Sequence, residues 1–134
     1  MRILLLVALL LPAIACKKDK ETKPVIPDGT YAGTFQRQGN GTGQVVNVTL
    51  NLNDFGFNSS GPAPANRYPV IGKGKYAIDN NKITFSDSLV YTADFDWTLI
   101  LSQEYQFDSR GDSLIIVRQY NAQVRDIYKL KKHH

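Results

Sequence analysis

Val46-Asn47-Val48-Thr49-Leu50-Asn51-Leu52 alternates apolar and polar residues without a break. That period of two places Val46, Val48, Leu50 and Leu52 on one face of a strand and leaves the other face wet. The same rhythm runs outward in both directions. Tyr31, Gly33 and Phe35 alternate with Thr30, Ala32 and Thr34. Tyr76 with Ile78, and Ile83 with Phe85, flank Asp79-Asn80-Asn81-Lys82, a short polar link suited to a tight hairpin because Asn tolerates positive φ. Trp97, Leu99 and Leu101 read as a further strand, followed by Tyr105 with Phe107, Leu114 with Ile116, and Tyr128 with Leu130. Ser109-Arg110-Gly111-Asp112 supplies another hairpin tip. No long stretch of the domain carries a 3.6-residue apolar repeat. The expected fold is therefore all-β, an antiparallel meander of about eight strands that closes into a small barrel and so hides its edges.

The segment before the first strand has a different character. Arg2 precedes an apolar run from Ile3 to Leu11, then Pro12 and Ala13-Ile14-Ala15 before Cys16. This is the charged, apolar and small-residue order of a secretory signal, and it is too short for the ~20 residues of a membrane-spanning helix. Cys16 is the only cysteine. The expected organisation is a signal peptide over 1–15, a lipidated Cys16 with a flexible tether over 16–27, and a barrel domain over 28–134. The tether carries Lys17, Lys18, Lys20 and Lys23 against Asp19 and Glu21. Several acyl chains on one residue anchor firmly where one gives marginal binding.

The net charge of +4 shrinks under this division. Residues 28–134 hold eleven basic and ten acidic side chains. No basic stripe interleaved with aromatics remains, which argues against nucleic acid as a partner.

Two resemblances follow from these residues. Ala13-Ile14-Ala15-Cys16 resembles the lipobox of bacterial lipoproteins, with Ala13 where leucine is usual. Asp28-Gly29-Thr30-Tyr31, opening an eight-strand meander, resembles the start of a lipocalin-like domain, with Tyr31 in the place of that group's tryptophan. The whole is similar to small lipocalin-like lipoproteins of the Bacteroidota type. The resemblance implies an outer-membrane lipoprotein held by its lipid anchor, on either membrane face. It also implies a basic residue laid across the Tyr31 position, for which Arg118, Arg125 and Lys129 are candidates. O-glycosylation in that group follows Asp-Ser/Thr and an apolar or small residue, which singles out Ser88 and Ser113.

The chemistry-bearing residues are few. Both histidines end the chain and no cysteine lies in the domain, so no Ser-His or Cys-His dyad is expected and the chain does not read as an enzyme. Asp94 and Asp96 are a weak candidate cation pair, more simply explained as solvated acids. Arg110-Gly111-Asp112 matches an adhesion tripeptide but is also ordinary turn chemistry. The proline-rich segment from Asn53 to Ile71 is either a loose insertion or a cover for one barrel mouth. Tyr31, Phe35, Tyr76, Phe85, Trp97, Tyr105 and Phe107 are expected to face the barrel interior. An eight-strand barrel is about wide enough to be filled by such rings or to hold one small ligand. The leading expectation is a binder of a small apolar or aromatic ligand, with no cofactor. The alternative is a filled barrel that meets a protein or serves structurally at the cell envelope.

Overall fold

A computed structural model describes residues 25–39, 41–61 and 72–134. The signal peptide, Cys16 and most of the tether lie outside the described residues, as does the 62–71 part of the proline-rich loop.

The described chain is an antiparallel barrel of eight strands. They are β1 (Gly29–Gly39), β2 (Gly41–Asn53), β3 (Gly56–Ser60), β4 (Lys73–Asp79), β5 (Lys82–Asp87), β6 (Gln103–Arg110), β7 (Ser113–Gln119) and β8 (Arg125–Lys132). Each strand pairs with its neighbour in sequence, and β8 returns to β1 with Gly33 opposite Leu130 and Phe35 opposite Tyr128. Closure removes the open edges that a meander otherwise presents.

Turn chemistry fixes one end. Asp79 pairs with Lys82 around Asn80, whose φ is +52°, and Arg110 pairs with Ser113 around Gly111 at φ +56°. The β2–β3 turn is Asp54-Phe55, both in the left-handed region at φ +47° and +59°. Phe55 is the exposed turn residue and Phe57 enters the core from β3, so the segment from Asn53 read as an insertion or cover holds a strand of the barrel in its first part. The chain enters at this end too. Ile26 is buried and the Tyr31 hydroxyl donates to the Pro27 carbonyl at 2.6 Å, so the folded unit takes in the last residues assigned to the tether.

The core follows the period-two pattern. Tyr31, Phe35, Tyr76, Phe85, Tyr105 and Phe107 are buried, and Phe57 and Tyr128 join them. Ring centroids lie 4.9 Å apart for Phe35–Tyr128, 5.0 Å for Phe57–Phe85, 5.8 Å for Phe85–Tyr105 and 6.3 Å for Tyr105–Tyr128. These are tilted and edge-on contacts at the distances aromatic pairs prefer.

Trp97 departs from the expectation. Trp97–Leu99 is a 3-10 turn, not a strand, and Trp97 is 59% exposed at the surface. Asp96 caps the turn, accepting from the Thr98 amide at 3.0 Å and the Thr98 hydroxyl at 2.6 Å. Leu99, Ile100 and Leu101 are then buried in succession, which no strand with one wet face permits. Together with Phe95 they plug the barrel mouth opposite the tight turns. The mouth is covered by the 88–102 connection.

All six described tyrosines have phenols pushed above their ordinary range, burial being the largest cause in each. Tyr76 is pushed up to about 12, with the Asp28 carboxylate adding to burial. An unfolded phenol ionises near pH ~10. Stability from these groups is thus fully present below about pH 10 and is lost as pH rises past it, because the unfolded chain releases its protons first. Phenolate absorbance is expected to appear in one steep step together with loss of the far-ultraviolet β signal. Gradual ionisation centred near pH ~10 with the β signal intact would contradict the buried placement of these rings.

Candidate functional site at the plugged mouth

At the plugged mouth the inward-facing rows of three strands end in polar residues. Arg37 continues Tyr31 and Phe35 on β1, Arg118 continues Leu114 and Ile116 on β7, and Asp126 precedes Tyr128 and Leu130 on β8. Asp126 is only 2% exposed and is the one buried charged residue among those described. Arg37 meets it with two parallel bonds, Nε to Oδ1 at 2.7 Å and Nη2 to Oδ2 at 2.8 Å. This fork geometry is the strongest form of a charge-assisted hydrogen bond.

The same arginine reaches the plug. Arg37 donates to the Thr98 hydroxyl at 2.8 Å and the Thr98 carbonyl at 3.1 Å, and lies 3.8 Å from Asp96. The Tyr120 hydroxyl sits 2.9 Å from both the Thr98 carbonyl and Asp126 Oδ2, and its single proton serves one of them at a time. Burial and the Asp126 carboxylate hold that phenol well above its usual range. The guanidinium of Arg37 is pushed further up by its bond to Asp126. The network ties strands β1 and β8 to the 3-10 turn and locks the plug in place.

Beside it lies a groove of about 240 Å³, lined by Asp87, Leu89, Tyr91, Trp97, Ile100, Ser102, Gln103 and Arg118. Trp97 stands at its rim with Tyr91 edge-on at 6.1 Å. The Tyr91 hydroxyl donates to Asp87 Oδ2 at 2.9 Å, and the Leu89 amide to Asp87 Oδ1 at 2.7 Å. Arg118 stacks over Tyr120 at 4.6 Å and Tyr105 at 5.7 Å, within cation–π range. Its edge donates to Gln103 Oε1 at 2.6 Å and the Ser102 carbonyl at 3.4 Å. Gln103 itself is held at φ +74°, a conformation that costs a non-glycine residue and that recurs at sites of recognition. Exposed Leu89 adds to the apolar part of the lining.

The residues singled out in the sequence separate here. Trp97 leaves the interior set for the groove. Arg118 lies on aromatics, but on Tyr105 and Tyr120 rather than Tyr31. Arg125 is exposed and donates to Gln38, and Lys129 is exposed. Asp94 is exposed, its carboxyl drawn below the usual range by a bond to Thr92, while Asp96 serves as a cap. Among the described residues no three His, Cys, Asp or Glu side chains gather as a metal would need. Ser88 is exposed with its hydroxyl on the Lys73 carbonyl at 2.8 Å, and Ser113 is exposed at the far end of the barrel. At the Arg110-Gly111-Asp112 turn, Arg110 donates to Asp108 and Asp112 meets His134 at 3.0 Å.

Among the described residues the space between core side chains is small where it can be followed. A void of about 10 Å³ lies among Val48, Leu50, Leu101 and Tyr128, room for roughly one water at most. A wider hollow of about 500 Å³ runs along Gln44 to Thr49, where β3 stops at Ser60. Comparisons with protein-family models, curated proteins and solved structures gave no match for this chain.

Proposed function

We propose that this chain is a lipid-anchored protein of the outer membrane whose filled barrel is a rigid support for a recognition groove at its plugged mouth. It performs no catalysis of its own. The observation that carries this reading is the exchange of places between the aromatics. Six of the seven rings expected to line a ligand cavity are buried in the core, and the seventh, Trp97, stands exposed on the groove that Leu89 also lines. A filled core and a gathered apolar rim together suit a surface that meets a partner, since scattered apolar residues are ordinary but clustered ones need a purpose. The Arg37–Asp126–Tyr120 network supports that surface by holding its connection in one geometry, which lowers the ordering cost of binding. The lipobox-like Cys16 and the basic tether supply the address.

Native mass spectrometry on protein purified without detergent tests the filled interior. The expected mass is that of the polypeptide and its acyl chains alone. A co-purifying apolar molecule, retained and raising the melting temperature, would overturn the reading in favour of a carrier. Cys16→Ala is expected to move the protein from the membrane fraction to the soluble fraction; unchanged membrane association would contradict the anchor.

A further inference from the structure

The groove has more specific chemistry than an apolar rim. One wall is the indole of Trp97, steadied by Tyr91. The remaining walls are mostly polar: the Ser102 and Gln103 side chains, Asp87 and the Arg118 guanidinium. An aromatic ring and planar hydrogen-bonding groups lining one groove suit a ligand ring with C–H bonds on one face and oxygens around its edge. A purely apolar ligand would strip water from those polar walls and return no bond for it, which costs affinity.

Charge narrows the choice. Both oxygens of Asp87 already accept bonds, from the Leu89 amide and the Tyr91 hydroxyl. Among the described residues the ion pairs involve Arg37, Lys82, Arg110 and His134, and Arg118 takes part in none. Arg118 is half-buried, its face is covered by Tyr120 and Tyr105, and Gln103 holds one edge from a strained backbone. The groove therefore presents an oriented guanidinium that joins no ion pair among the described residues, while the carboxylate of Asp87 is turned to Leu89 and Tyr91. Such a fork recognises a carboxylate.

We propose that the groove binds a pyranose ring bearing a carboxylate, a uronic-acid unit of a glycan, with its C–H face on Trp97 and its carboxylate on Arg118. The proposal rests on the filled-barrel reading above and names the ligand class of that same groove. Trp97 is the only tryptophan of the chain, so its fluorescence reports on the site alone. The mature lipid-free protein is titrated with trigalacturonate and, separately, with the neutral cellotriose. A saturable change in Trp97 emission with trigalacturonate is expected, with cellotriose at least about tenfold weaker for want of the charged pair. Arg118→Gln should bring trigalacturonate down to the level of cellotriose. Gln103→Ala, which leaves the stacked guanidinium in place but unaims it, should weaken trigalacturonate by a smaller factor. No saturable response to trigalacturonate, equal response to the two sugars, or a preference that survives Arg118→Gln would each overturn the proposal. None of these outcomes would put a molecule inside the barrel, so the mass measurement above separates failure of the sugar from failure of the filled core.

Discussion

Asp126→Ala is expected to destabilise the domain by about 3 kcal/mol, read as a lower urea midpoint at unchanged slope. The carboxylate is buried and receives two bonds from Arg37 with the Tyr120 hydroxyl at its side. Its removal leaves a half-buried guanidinium facing a gap, and an uncompensated charge costs far more than the intact pair contributes. Arg37 keeps 28% of its side chain in solvent, which puts the figure at the lower end of the ~3–5 kcal/mol range for buried pairs. Because Arg37 and Tyr120 also hold Thr98, the variant should expose the 88–102 connection to protease before the barrel unfolds. A loss below about 1 kcal/mol, the scale of a surface ion pair, would contradict the account of the network.

Gly33→Ala is expected to be at least as damaging. Gly33 lies between Tyr31 and Phe35 on the inward row of β1, where β8 crosses it. A Cβ there would stand 2.0 Å from the Lys129 carbonyl oxygen and 2.9 Å from the Leu130 Cα. Both are backbone atoms of the partner strand, so relief means breaking the β1–β8 ladder that closes the barrel. The cost should reach about 3 kcal/mol, the upper range for an overpacked site. Gly111→Asn provides the control: its Cβ would meet nothing within 4 Å, and Asn accepts the positive φ of that turn. A Gly33→Ala protein with the stability of Gly111→Asn would show that the two strands do not approach as described.

The parts of this molecule legible from its sequence are those decided by neighbours in the chain. Val46 to Leu52 declares its buried face by alternation alone, and Asn80-Asn81 and Gly111-Asp112 declare turns because backbone conformation is a local property. Meander order follows from such signals; the strand number agrees because β3, inside the segment read as a loop, takes the place of the strand expected at Trp97–Leu101. Trp97, Leu99 and Leu101 alternate on paper as well as any strand does. What makes them a 3-10 turn and a plug is the Asp96 cap and the anchoring of Thr98 by Arg37, a partner distant in the chain. The Arg37–Asp126 pair spans 89 positions and leaves no periodic trace. One clue was present nonetheless. Arg37, Arg118 and Asp126 keep the phase of the buried residues on their strands, and charged residues in a buried phase mark a mouth where the core gives way to a network.

The central claim is that recognition takes place at the plugged mouth over a filled barrel. Its most direct test is nuclear magnetic resonance mapping of the isotope-labelled protein during titration with trigalacturonate and, in parallel, a medium-chain fatty acid. The expected result is movement of the Trp97 indole N–H, the Gln103 amide and the Arg118 Nε–H with the sugar, while the methyl groups of Leu50, Ile83 and Ile116 stay fixed with either ligand. Perturbations centred on those interior methyls would contradict it.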